Sequence, residues 1–176
     1  MNVARILAVM FLIGSAAAQL PFKSYTPPDA SFSIMFPGTP KVSAPVESKT
    51  EEGQSFTEQH YAVADDGAYM LLTADYPFAT NNSGLSGIAK AQAEACGAPA
   101  ATIRSDKNVQ GRPALLFMVD CPKTENHAAI SLIVQAVADG NRLYRVMYGS
   151  SEKPDDDRVI RFLISFHING SAHPVH

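Results

Sequence analysis

The chain has 176 residues, 14 of them basic and 17 acidic, and its formal net charge is −3 at neutral pH. Its basic residues are scattered, whereas nucleic-acid binding requires clustered Lys and Arg, so we expect no nucleic-acid partner. The same balance argues against electrostatic docking on an anionic lipid surface. The length fits one domain with a substantial hydrophobic core.

The first eighteen residues have the pattern of a signal peptide. Arg5 supplies a positive charge, residues 6–13 form an apolar run, and residues 16–18 are three alanines suited to signal peptidase. The apolar run is far shorter than the roughly 20 residues of a membrane-spanning helix, and no later stretch approaches that length. We therefore expect a periplasmic or secreted protein with no membrane insertion after cleavage. The predicted division of the chain is a signal peptide (1–18), a single domain (19–170) and a short tail (171–176).

Downstream of Gln19, alternating apolar residues separated by Gly, Pro and Asp predict strands joined by tight turns. Asp65-Asp66-Gly67 is expected to close a hairpin. Helical spacing predicts a central helix, and a second helix follows the acidic residues after Pro154. In chain order, the predicted strands and central helix cover residues 32–36, 42–49, 54–64, 68–76, 83–96 (helix), 102–109, 114–121, 128–138 and 143–148.

Cys96 and Cys121 are the only two cysteines. Helical spacing brings Cys96 to the apolar face of the central helix, and Cys121 lies on the same side of its strand as Leu115 and Phe117. In an oxidising compartment such a pair is expected to form a disulfide. The alternative is a redox or metal-binding pair, which the separation of 25 residues does not favour because CxxC spacing is missing.

The predicted strands are grouped in hairpins, which indicates an antiparallel sheet and the α+β class. Several of the strands are apolar on both faces, as in Leu115-Leu116-Phe117-Met118, and such a sheet must be covered on both sides. The sequence therefore predicts a single antiparallel sheet of about seven strands with helices on both faces, an α/β/α sandwich.

Three blocks of the sequence resemble a known family. Residues 32–40 read FSIMFPGTP, residues 142–146 read RLYRV, and residues 161–166 read RFLISF. In this order they are similar to the opening and closing motifs of exported bacterial proteins of the PsbP-like α/β/α sandwich group. The resemblance implies that fold for most of the mature chain. It implies no activity, because characterised members of the group act as non-catalytic binding or assembly proteins.

The sequence contains no catalytic motif such as G-x-S-x-G, so we expect no enzymatic activity and no cofactor. The three histidines near the carboxyl end, His167, His173 and His176, admit a transition-metal site as an alternative to an unstructured tail. The tail is favoured because Gly170-Ser171-Ala172 and Pro174 interrupt the spacing, and no metal site is predicted.

Aromatic residues are the remaining indication of binding. Tyr76 and Phe78 end one predicted strand, and Tyr144 and Tyr148 alternate along another, so these four residues are a candidate binding surface. Core packing is the alternative for all four. Two functions remain open: binding or assisting the assembly of another envelope component, and carrying a small apolar ligand in a pocket between sheet and helix. A closed apolar cavity of at least about 300 Å³ would favour the carrier.

Overall fold

The structure is a computed structural model that describes residues 19–50, 52–80, 82–106, 108–125 and 128–170. The predicted signal peptide and the tail, with His173 and His176, lie outside these residues. Within them the chain forms strands and two helices in the order β1 (Phe22–Tyr25), β2 (Phe32–Pro37), β3 (Lys41–Val42), β4 (Val46–Lys49), β5 (Ser55–Ala64), β6 (Ala68–Asp75), α1 (Asn82–Ala95), β7 (Thr102–Ser105), β8 (Ala114–Cys121), β9 (Ile130–Asp139), β10 (Arg142–Ser150), α2 (Asp156–Ile164) and β11 (His167–Ile168).

The larger sheet has eight strands, with the order β3-β5-β6-β10-β9-β8-β7, and β4 also pairs with β5. All of its strand pairs are antiparallel. Asp65-Asp66-Gly67 closes the β5–β6 hairpin as predicted, since Ala64 pairs with Ala68. The strand expected over residues 42–49 is divided into β3 and β4 by a segment that contains Pro45, which lacks the N–H a strand ladder needs.

A second antiparallel sheet of three strands, ordered β1-β2-β11, covers part of the larger one. β2 was expected in a single central sheet, but it pairs with β1 on one side and with β11 on the other. Its three apolar side chains, Phe32, Ile34 and Phe36, are fully buried.

The predicted α/β/α sandwich is therefore wrong. The described chain is mostly β-structure in two antiparallel sheets, with only two helices, and it is not one sheet with helices on both faces. The error has a physical cause: alternation along a strand reveals which side chains are buried, but not which strand is its neighbour. The apolar alternation of β2 thus indicated a buried strand without indicating a separate sheet.

The two faces of the larger sheet are covered over different strands. On one face, α1 packs on β8 and β9, and on the other the small sheet and α2 lie over β5, β6 and β10. As a result, Phe56, His60 and Met70 remain partly exposed on the α1 face of β5 and β6. We refer to these half-covered strands as the open half of the α1 face.

Polar contacts fix the N-terminal end of α2. Asp155 is its N-cap and accepts hydrogen bonds from the backbone N–H groups of Asp157 and Arg158. Arg158 is largely buried and forms ion pairs with Asp65 and Asp66 of the β5–β6 turn. Its guanidinium also lies 5.0 Å from the ring centroid of Phe22, which joins the helix to β1.

Candidate functional site

Three aromatic rings line the edge of the open half, and we name Phe56, Tyr76 and Phe78 the aromatic shelf. Phe56 and Tyr76 stack with their centroids 4.6 Å apart, and Phe78 lies 5.3 Å from Tyr76. Phe56 and Tyr76 pack against the core beneath α1, whereas 40% of the surface of Phe78 is exposed. The shelf is thus supported from below and accessible at its outer end.

The hairpin register places these rings together. Thr57 of β5 pairs with Asp75 of β6. Phe56 and Tyr76 are the next residues away from the turn, so they lie opposite each other. The backbone N–H of Tyr76 donates to the carbonyl of Asn141, and the side-chain amide of Asn141 donates back to the carbonyl of Tyr76. These bonds hold the end of β6 against the β9–β10 turn and fix the direction in which Phe78 leaves the sheet.

A charged pair lies beside the shelf. Arg145 Nη2 donates to Glu58 Oε1 at 2.9 Å, and the hydroxyl of Ser48 donates to the other oxygen of that carboxylate. His60 lies on the same face; burial lowers its pKa, although the nearby Glu58 carboxylate acts in the opposite direction. Burial also raises the pKa of Tyr76, so its hydroxyl stays neutral at physiological pH. The open half therefore combines aromatic surface with the Glu58–Arg145 ion pair, although Arg145 Nε is buried without a hydrogen-bond partner among the described residues.

The four aromatic residues predicted to bind a partner do not form one surface. Tyr144 and Tyr148 lie on the opposite face of β10 and are almost fully buried. Their rings pack against Phe166 at 5.3 Å and Tyr69 at 5.0 Å, respectively. Tyr144 and Tyr148 are therefore core residues, which is the alternative stated for them. Tyr76 and Phe78 remain at the surface.

Phe56, Glu58 and Arg145 were not among the predicted site residues. The signal for Phe56 was present in the sequence, because counting outward from the Asp65-Asp66-Gly67 turn pairs Phe56 with Tyr76. Arg145 and Glu58 lie on strands that are not consecutive in the chain, so no local pattern could bring them together.

A second surface lies where the two sheets diverge, and we name it the Arg142 groove. It has a volume of about 490 Å³ and is open to solvent. A smaller cavity adjoins it and shares Asp29, Ser31, Asp75 and Arg142. The side chains that matter for its chemistry are Asp29, Ser31, Asp75, Asn141, Arg142 and Asn169.

Arg142 is the centre of the groove. Its Nε and Nη2 donate to the two carboxylate oxygens of Asp75 at 2.6 and 2.9 Å, and its Nη1 lies 3.8 Å from Asp29. The bonds to Asp75 raise the already high pKa of the guanidinium further, so it is always charged. Asp139 also lines the groove; it is almost fully buried and forms an ion pair with Arg112 at 2.9 Å.

The predicted disulfide is present: Cys96 and Cys121 are bonded, with their Cα atoms 5.3 Å apart. It joins the carboxyl end of α1 to the end of β8.

His167 contacts the side chain of Gln110 through Nδ1. Within the described ranges no three or more His, Cys, Asp or Glu side chains are grouped so as to hold a metal ion. None of the helices described in the structure is long and apolar enough to cross a membrane.

The described chain is thus a mainly β domain with two antiparallel sheets and a helix joined to the larger sheet by a disulfide. It carries two candidate binding surfaces, the aromatic shelf and the Arg142 groove. No protein-family model matches the chain, and no curated protein matches it either.

Proposed function

We propose that this protein is an exported, non-catalytic domain that binds another component of the cell envelope, or assists its assembly, through the aromatic shelf. The observation that carries the proposal is the exposure of Phe78 at the end of a supported row of rings, on the half of the sheet face that α1 leaves open. Large aromatic side chains on a rigid base are the residues that contribute most to protein interfaces. The neighbouring Glu58–Arg145 pair would form part of a polar rim.

The cavities support an interaction protein over a carrier of small apolar ligands. The two cavities described above are open and are lined mainly by charged and polar side chains. An apolar carrier needs an enclosed apolar space of at least about 300 Å³. Neither cavity has that character.

Export is the second part of the proposal. The Cys96–Cys121 disulfide is consistent with an oxidising compartment, as expected for a periplasmic or secreted protein. The signal peptide itself is inferred from residues 1–18 alone. Membership of the PsbP-like group likewise rests on the three sequence blocks alone, because the α/β/α sandwich that the resemblance implied is not the observed fold.

Crosslinking in the producing cells tests the proposal. We expect the affinity-tagged protein to recover a specific envelope component. Phe78→Ala should reduce that recovery about tenfold, since a central aromatic contact contributes about 1–2 kcal/mol. Ile164→Ala is the matched control, because Ile164 is an apolar residue of α2 with 76% of its surface exposed. Recovery of the protein alone, or equal recovery with both variants, would contradict the proposal.

Native mass spectrometry tests the alternative separately. Protein purified from its host should have the mass of the polypeptide with one disulfide. A retained small-molecule mass would instead favour the carrier.

A further inference from the structure

We infer that the Arg142 groove is a binding site for a neutral saccharide. The groove lies on the opposite face of the larger sheet from the aromatic shelf, so this inference does not depend on the function proposed above. Its volume of about 490 Å³ is within the range of roughly 300–1,000 Å³ typical of small-molecule sites.

The charges in the groove favour a neutral ligand over an anion. Both carboxylate oxygens of Asp75 are bonded to Arg142, so the positive charge of the guanidinium is already neutralised. Asp29 is 3.8 Å from the remaining nitrogen, Nη1. An incoming phosphate or carboxylate would therefore meet a compensated cation flanked by two carboxylates.

A cation is not favoured either. The negative charge of Asp75 is compensated by Arg142, and that of the buried Asp139 is compensated by Arg112. Asp29 remains, but its side chain is 60% exposed, and an ion pair with so exposed a carboxylate contributes little.

The groove contains several side chains that can still form hydrogen bonds to a ligand. Each carboxylate oxygen of Asp75 accepts one bond from Arg142 and has a second lone pair. In Asp29 both bonds from Ser31 go to Oδ1, so Oδ2 can accept from a ligand. The amides of Asn141 and Asn169 donate to the carbonyls of Tyr76 and Ala30, which leaves each amide oxygen as an acceptor. Arg142 Nη1 supplies a donor. Closely spaced acceptors with one strong donor match vicinal hydroxyl groups, which both donate and accept.

Hydrogen bonds hold the turn at one wall of the groove in a defined conformation. Ala30 has a φ of 51°, a left-handed conformation that is unusual for alanine. The hydroxyl and the backbone N–H of Ser31 both donate to Asp29 Oδ1, and Asn169 bonds the carbonyl of Ala30. These bonds orient Asp29 and Ser31 before any ligand arrives, which lowers the entropic cost of binding.

Backbone amide NMR of the purified, isotope-labelled protein tests the inference. Maltotriose and the N-acetylglucosamine trimer serve as neutral probes, and trilysine and inorganic phosphate as charged ones. We expect at least one trisaccharide to shift the amide signals of Ser31, Asn141 and Asn169 in a saturable manner. Asp29→Asn should weaken that binding about fivefold or more, because a hydrogen bond to a charged acceptor is lost.

Asp120→Asn is the matched control. Asp120 is also an exposed aspartate that accepts a serine hydroxyl, from Ser131, but it lies outside the groove. It should leave saccharide affinity unchanged. If Asp29→Asn does not fold, as judged by its thermal unfolding, Ser31→Ala replaces it. The inference is overturned if neither trisaccharide shifts these signals, if a charged probe shifts them at lower concentration, or if the groove and control variants weaken binding equally.

Discussion

Gly67 closes the β5–β6 hairpin directly against the ring of Tyr148. A Cβ atom at this position would lie 2.5 Å from that ring, closer than real atoms approach. Tyr148 is buried and packs on Tyr69, so moving its ring aside would disturb that packing. We expect Gly67→Ala to lower the free energy of unfolding by about 1–3 kcal/mol through overpacking, as measured by urea denaturation.

Gly87→Ala is the control for that substitution. Gly87 is exposed in the middle of α1, and a Cβ there meets nothing within 4 Å. Alanine should therefore stabilise the protein by up to about 1 kcal/mol, since it is the better helix former. Equal unfolding midpoints for Gly67→Ala and the parent protein would show that Tyr148 can move aside.

At the scale of the element, α1 is a weak helix held by the disulfide. It contains Gly84 and Gly87 and has no acidic residue in its first turn. Replacing Cys96 and Cys121 together by alanine should cost about 3–4 kcal/mol of stability in the chain-entropy model. Because this entropic effect acts on the unfolded chain, we expect hydrogen exchange of the variant to show a loss of protection in β9 and β10 as well as in α1.

If α1 alone lost protection while β9 and β10 kept theirs, the disulfide would stabilise α1 locally and not the whole domain. Ser131→Ala changes one half-buried side chain on β9 and serves as the control for the effect of substitution itself.

Sequence patterns identified elements whose signals are local. The β5–β6 hairpin follows from its turn residues, α1 from its spacing, and the disulfide from the inward positions of Cys96 and Cys121. Pairings between distant segments could not be predicted. Arg142 meets Asp29 only because the small sheet lies over the large one, and Tyr144 is buried only because that sheet covers it. The position of Phe56 opposite Tyr76 could be predicted by counting residues outward from the hairpin turn. The Arg142 groove could not be predicted, because it lies between segments from both sheets.

At the scale of the whole molecule, the tyrosines make stability sensitive to alkali. The chain has six tyrosines, and burial raises the pKa of each of them. For Tyr61 the pKa rises to about 12, against about 10 in the unfolded chain. A raised pKa stabilises the fold fully below the unfolded value, and this contribution is lost as the pH rises through the folded value.

We therefore expect the free energy of unfolding to fall between about pH 9 and about pH 12. Urea denaturation across this range measures the fall, and tyrosinate absorbance should show ionisation at higher pH in the native protein than in urea. Tyr61→Phe should make the decline less steep. A native titration that coincides with the one in urea would contradict the prediction.

The small sheet brings both ends of the domain to one strand. β2 lies between β1, near the start of the described chain, and β11, near its finish. The half of the interior built on Phe32, Ile34 and Phe36 therefore cannot close until β11 and α2 are available. During synthesis this half of the interior therefore stays open until β11 has emerged, even if the strands of the larger sheet have already paired.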